Sequence, residues 1–211
     1  MGFGAGTHLE RKARHEPSEV DVVGARPAEH VRRQHDVQDV GVRFFTYISS
    51  LGLILEAAAE NGIPVIVLDR PNPNGDYVDG PVLDPALISF VGAYPIPVVY
   101  GMTIGELAGM IRGESWKHTP GLRLTVVPLM GYDRAAPAAP EGLPSPGLRS
   151  LQAIRAYPSL ALFEPTSVSV GRGTDHPFEL YGIPSPPLGS FVFTPVGDSA
   201  RVPYSGRECR G

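Results

Sequence analysis

The stretch "VIVLDRPNPNGDYVDGPVLDP", residues Val65 to Pro85, runs from four apolar residues straight into a loop carrying four Asp, two Asn and four Pro. Together with Ile63 and Pro64 just upstream, its start is continuous and β-branched, the pattern of a strand covered on both faces. A connection that only turned a corner could be far shorter and less polar. The loop is therefore the first candidate for a site.

The chain on either side fits that reading. Upstream, Phe44 to Asn61 puts Ile48, Leu51, Leu55 and Ala58 on one helical face, and Gly62 supplies a stop. A helix delivering into a buried strand is half of a parallel α/β unit. Downstream, "MTIGELAGMIRGE" predicts a second helix, with Thr103 and Glu106 spaced as a capping box, Met102 and Leu107 as a staple, and Gly113 as its end. "LRLTVVPL", Leu122 to Leu129, reads as a strand. Residues 131–149 read as a long loop, Leu160 to Phe163 as a strand, Asp175 as the start of a short helix, and "GSFVFTPV" as a last strand.

Composition narrows the function classes. At 211 residues with 42% hydrophobic and 19% charged residues, the balance is that of an ordinary globular protein. A net charge of -4 provides no overall basic field for nucleic acid. No apolar run reaches membrane-spanning length, and the N-terminus lacks the apolar core of a signal peptide. One cysteine, Cys209, excludes an internal disulfide and a cysteine-based zinc site. Residues 1–35 stand apart: they hold four of the six histidines and no sustained periodicity, only Val20 to Val23 reading as a short strand. They are expected to be a disordered segment, with the histidines solvated rather than metal-bound.

Polar groups cluster where strands end and ligands gather in open α/β sheets. Around the first helix lie Gln38, Asp39, Arg43 and Tyr47; after the first strand lie Asp69, Arg70, Asn72, Asn74 and Asp79; further on lie Glu164, Ser169, Arg172 and Asp175. Gly171 and Gly173 would let a ligand approach the backbone. Each has a plainer reading: Asp39 and Asp175 as helix caps, Asp69 with Arg70 as an ion pair, Tyr47 as core. Glu164 is the better catalytic carboxylate, because an acid directly after an apolar strand is either partnered or functional. No Ser-His-Asp or Cys-His set can be assembled. Such a lining suits a hydroxyl-rich ligand with an acidic group, since Arg holds a carboxylate through paired hydrogen bonds.

At these same residues the sequence resembles a bacterial family. "DVQDVGVRFFTYIS", "AAAENGIPVIVLDRPNPNG", "VDGPVLDP", "SFVGAYPIPVVYGMTIGELA", "YPSLALFE" and "SVSVGRGTDHPFELYG" follow in order the pattern of the exo-β-N-acetylmuramidases, glycoside hydrolase family 171, formerly domain of unknown function 1343. The resemblance runs from about Asp36 to Gly211. It implies a partial Rossmann-like parallel sheet domain over 36–130 and a smaller, truncated α/β domain over 131–211. It implies release of N-acetylmuramic acid from the non-reducing ends of peptidoglycan fragments, outside the cytoplasm, with no metal or organic cofactor. It assigns Gln38, Asp39, Arg43, Asp69, Arg70, Asn72, Asn74, Arg172 and Asp175 to substrate binding, and leaves Glu164 and Tyr47 as catalytic candidates.

The departures shape the expectation. Gly147 in "PSPG" stands where the family usually has Asn, and Pro165 in "FEPT" where it has Gly. The family's first strands and its upstream "YGE"-like motif, whose Glu is implied as general acid, have no counterpart in Met1 to His35. The chain is thus expected to be a fragment, with a non-catalytic peptidoglycan-binding remnant as the alternative to an active enzyme.

Overall fold

The structure, a computed structural model, describes residues 37–136, 139–140, 142–197, 202 and 204–211. The expectations for residues 1–35, a disordered segment with solvated histidines and a strand at Val20 to Val23, lie outside the described residues.

The predicted unit forms. Helix α1 (Tyr47–Glu60) buries Ile48, Leu51, Leu55 and Ala58, and ends where Gly62 takes a positive φ. Strand β1 (Val65–Leu68) follows and pairs in parallel with β2 (Leu124–Val127), in the register Val65 with Leu124 through Leu68 with Val127. Between them α2 (Ile104–Gly113) starts on the capping box read from the sequence: Thr103 Oγ1 accepts the Glu106 amide at 3.2 Å and Glu106 Oε2 accepts the Thr103 amide at 2.9 Å. Both helices pack on the same face of the pair, burying Val65, Val67, Leu107, Ala108 and Ile111 in one core with Tyr94 and Ile96. Each fully buried aliphatic side chain there contributes about 1.5–3 kcal/mol.

The opposite face differs from expectation. β1 was read as covered on both sides, yet Leu68 is 63% exposed and its neighbour Val127 45%. Its continuous apolar run reflects β propensity rather than two covered faces.

A second core joins residues distant in sequence. Val40 and Val42, just before α1, pack against Leu148, Val170, Phe178 and the inner face of α3 (Leu151–Leu160): Ala153, Ile154 and Tyr157. Here the sequence reading is corrected. Leu160 to Phe163 is not a strand: Leu160 closes α3 and 161–163 continue as a single 3-10 turn. Ser150 caps the helix by accepting the Ala153 amide at 3.0 Å, and the spacing 153, 154, 157 supplies one apolar stripe. Nor does a helix start at Asp175; residues 171–179 are turns and bends, so neither Asp175 nor His176 occupies a helix start. The last strand read from the sequence is β3 (Val192–Phe193), antiparallel to β4 (Cys209–Arg210), where Cys209 is a buried free thiol. Among the described residues no helix is long and apolar enough to cross a membrane.

Candidate functional site

The proline-rich loop after β1 clips the two cores together. Asp69, at the strand's end, accepts from Thr103 Oγ1 at 2.7 Å and from the Gly105 and Arg70 amides at 2.8 and 3.0 Å. A carboxylate against the first turn of α2 is favoured by the helix dipole and by otherwise unpaired amides. Asn72 Oδ1 accepts the Asn74 amide at 2.8 Å, and Asn72 Nδ2 donates to the Met102 carbonyl at 2.8 Å. Asn74, 0% exposed, donates through Nδ2 to Val40 O at 2.8 Å and Ile154 O at 3.3 Å.

The second of these bonds has a covalent cause. Pro158 lies inside α3 and has no amide proton for the carbonyl four residues back, which is that of Ile154. Asn74 supplies the donor that the helix lacks. Arg155 adds a second tie, donating to Pro73 O at 3.1 Å and forking onto the Asp76 carboxylate, with its guanidinium 5.0 Å from the Tyr77 ring centre. The Asp76 carboxyl is thereby held below its usual range by the Arg155 hydrogen bond. Asn and Asp are dense in this loop largely because they anchor it.

Asp39 is the least settled charge. It is buried, and its Oδ2 accepts the Gly41 amide at 2.7 Å and the Tyr100 hydroxyl. Its Oδ1 is buried and has no hydrogen-bond partner among the described residues. Burial is the main cause that pushes its pKa up to about 6, against the lowering effect of Tyr100 and the Gly41 amide. Gly41 has φ 72°, and a Cβ there would fall 2.1 Å from Asn72 Oδ1, so only glycine fits between the two motifs. Asp39 caps no helix: α1 starts eight residues later, behind Thr46. Gln38, Arg70, Pro71, Asn72 and Ile104 complete a closed crevice around it, too tight to hold a water molecule. Gln38 Nε2 is bonded to the Asp39 and Pro71 carbonyls at 2.8 and 3.1 Å.

A cluster of aromatic rings forms a wall on α3. Tyr157 of α3 meets Phe44, Phe45 and Phe178 edge-on, at centroid distances of 5.5, 5.9 and 5.0 Å. Phe45 in turn meets Tyr47 at 4.9 Å, whose hydroxyl donates to Pro144 O at 3.3 Å. Arg172 lies over the Phe178 ring at 4.7 Å and donates to Glu164 Oε1 at 2.6 Å. Tyr157 has its pKa raised to about 12, first by burial, then by Glu164, with Arg172 opposing and Asp39 adding. The Glu164–Arg172 pair thus flanks the wall through Phe178, the ring that Tyr157 meets edge-on.

On its far side Arg172 borders an open cavity of about 810 Å³, together with Asp175, His176, Arg149 and Phe193. Gly171 and Gly173, expected to let a ligand near the backbone, are required for internal reasons: both have positive φ, and a Cβ would come within 2.8 Å of His176 O or 2.6 Å of Val196 O.

The candidates therefore divide. Gln38, Asp39, Arg70 and Asn72 share the crevice; Tyr47, Glu164 and Arg172 lie along the aromatic wall; Asp175 lies in the open cavity. Arg43 is apart from them, donating to the Pro81 and Ile96 carbonyls. Glu164 follows a 3-10 turn rather than a strand, and its partner is Arg172. Sequence reasoning missed Tyr100 and Tyr157. The helical spacing behind Ser150 would have found Tyr157, whereas Tyr100 approaches Asp39 from 61 residues away and had no local signal. Among the described residues there is no group of three His, Cys, Asp or Glu that could hold a metal ion.

Comparison with known proteins shows the family. The family profile described as exo-beta-N-acetylmuramidase NamZ, N-terminal, matches residues 34–152, and its C-terminal counterpart matches 155–211. The chain belongs to the NamZ family of exo-β-N-acetylmuramidases. It is similar to the peptidoglycan beta-N-acetylmuramidase NamZ of Bacillus subtilis (strain 168), with 47% identity over 154 residues, which is 71% of this chain and 36% of that protein. It is also similar to crystal structures of two DUF1343 family proteins from Bacteroides fragilis NCTC 9343. One is 45% identical with a TM-score of 0.78, covering 83% of this chain and 51% of the other; the second is 31% identical with a TM-score of 0.74, covering 82% and 50%. The chain spans about a third of the curated NamZ relative and about half of each solved structure.

Proposed function

We propose that the chain engages the muramic acid ends of peptidoglycan fragments outside the cytoplasm, as part of an exo-acting β-N-acetylmuramidase. The carrying observation is the Glu164–Arg172 pair set against the aromatic wall of Phe178 and Tyr157, in a chain of NamZ ancestry. Sugar rings carry apolar C–H faces that pack on aromatic rings, and hydroxyls that need fixed polar partners. In this reading Arg172 takes the lactyl carboxylate in place of Glu164, and Gln38, Asp39, Arg70 and Asp175 contact the sugar and its neighbour. Arg43, Asp69, Asn72 and Asn74 hold the loops that position them. Tyr47 contributes to the wall.

Glycosidic cleavage needs a proton for the leaving oxygen and a second group that assists attack or stabilises charge. Asp39, with its raised pKa, and Glu164 are the carboxyls near Tyr157 able to share these tasks. One observation favours a second reading, a binder without turnover: Glu164 is paired to Arg172 at 2.6 Å and both Asp39 oxygens are buried. A chromogenic muramic acid glycoside separates the two. Turnover supports the enzyme, binding without turnover supports the binder, and absence of both turnover and binding removes the proposal.

A further inference from the structure

Two cavities meet at Trp116, the only tryptophan of the chain. One, of about 550 Å³, is largely apolar and runs between α1 and residues 85–95, with Leu53, Ile88, Phe90 and Pro95 in its lining. The other, of about 460 Å³, is polar and bordered by Glu56, Arg112, Lys117 and His118. Trp116 and Lys117 line both, and neither cavity shares a residue with the Asp39 crevice or the Arg172 cavity.

The ridge between the two cavities is braced from behind. Trp116 stacks on the buried Tyr94 ring at 5.3 Å and an interplanar angle of 21°. Tyr94 fits against α1 because Gly52 leaves room, where an added Cβ would overlap its hydroxyl, and that hydroxyl donates to Ile48 O at 3.2 Å. Ser49 Oγ pins the apolar side by donating to Phe90 O at 2.6 Å. Ser115 takes φ 54°, a left-handed conformation unfavourable for a residue with a Cβ, and the Trp116 amide donates back to Ile111 O at 3.1 Å. Lys117 pairs with Glu56 at 3.2 Å, whereas the Arg112 guanidinium has no ion pair or hydrogen bond among the described residues. The polar cavity therefore carries an excess of positive charge.

Resting on the function proposed above, we infer that this ridge is a second glycan-binding site, taking a peptide-free peptidoglycan strand laid across Trp116. The Trp116 and Phe90 rings and the apolar cavity receive the C–H faces and acetamido methyl groups of the sugars. Arg112 and Lys117 receive the lactyl carboxylate of a muramic acid, a charge-assisted contact. That charge separates the glycan from a purely apolar partner, for which the cationic cavity would have no use. A strand held here, apart from its reacting end, stays close to the protein between encounters and raises the effective concentration of chain ends.

Because Trp116 is the sole tryptophan, its selectively excited emission reads this ridge alone. The probe is a peptide-free tetrasaccharide of alternating N-acetylglucosamine and N-acetylmuramic acid, with the uncharged N-acetylglucosamine tetrasaccharide as control. Ligand-observed NMR reports binding at any site in parallel. The expected result is a saturable change in emission with the anionic tetrasaccharide, roughly fivefold weaker with the uncharged one and in the double variant Arg112→Gln, Lys117→Gln. Arg112→Gln alone, which breaks no contact among the described residues, serves the same purpose should the double variant unfold. Arg172→Ala should leave the emission titration unchanged. Flat emission while NMR shows binding overturns the inference, as does equal affinity for the two tetrasaccharides or of variant and parent. Loss of the titration in Arg172→Ala overturns it by making the ridge part of the first site. An emission shift on raising protein concentration without glycan overturns it by seating a second copy there. If NMR shows no binding of the tetrasaccharide at all, the proposed function fails and takes this inference with it.

Discussion

Replacing Asn74 with Ala tests how the site is held. The side chain is fully buried, and its Nδ2 serves the carbonyls of Val40 and Ile154, one on each side of the second core. Removing it strands two acceptors where water has no access, and Pro158 rules out repair of the Ile154 carbonyl from within α3. An unsatisfied buried polar group costs about 1–3 kcal/mol, so the pair should cost roughly 2–4 kcal/mol once partial relaxation is allowed. Against a typical total of about 5–15 kcal/mol, that shifts a urea midpoint visibly without abolishing folding. Asn74→Asp sharpens the test. It keeps the shape but turns the donor into an acceptor facing two carbonyls, so its carboxyl pKa should rise in the folded state. With the folded pKa above the unfolded one, the variant should be most stable at low pH and lose stability as pH rises. Equilibrium urea unfolding at pH 4 and pH 7 reads both effects. A loss under about 0.5 kcal/mol for Asn74→Ala, of the size ordinary surface changes give, would refute the role assigned to the loop.

Other variants probe separate links. Asp39 has a folded pKa near 6 against an ordinary value of 3.8, so the native protein should be most stable below pH 4 with respect to this group and lose stability as pH climbs to 6; Asp39→Asn should flatten that slope, on the order of 3 kcal/mol, in urea midpoints across the range. Gly41→Ala meets both a positive φ of 72° and Asn72 Oδ1 at 2.1 Å, and should cost more than about 2 kcal/mol, read as a drop in Tm. Arg172→Ala removes a half-exposed ion pair and a cation–π contact, worth about 1 kcal/mol of stability together, and should weaken binding of a muramic acid ligand; unchanged affinity in calorimetry removes Arg172 from the site.

The parts of the fold legible in the sequence are those written in local chemistry. The capping box at Thr103 and Glu106, the stripe on α1 and the turn at Gly62 are short-range patterns, and each formed as read. The strand expected at Leu160 to Phe163 failed because four apolar residues fit either element; the cap at Ser150 that decides for a helix lies just past the loop read over 131–149, ten residues ahead of that run. The loop after β1 was recognised as unusual, but not its clipping function, which depends on Pro158 and Arg155 about eighty residues away. Long-range pairings such as Tyr100 with Asp39 leave no periodic trace, so the site's interior could not be read from spacing.

The second core also limits how the molecule can move. Val40 and Val42 come from ahead of α1, while Leu148, Ile154 and Phe178 come from beyond β2, and all interlock in one packed mass. Swinging α3 away from the β1–β2 pair would tear that mass open and break the Asn74 bridge as well. Under the proposed function, a ligand is admitted by side-chain movement at the partly exposed Glu164–Arg172 pair rather than by swinging one core against the other.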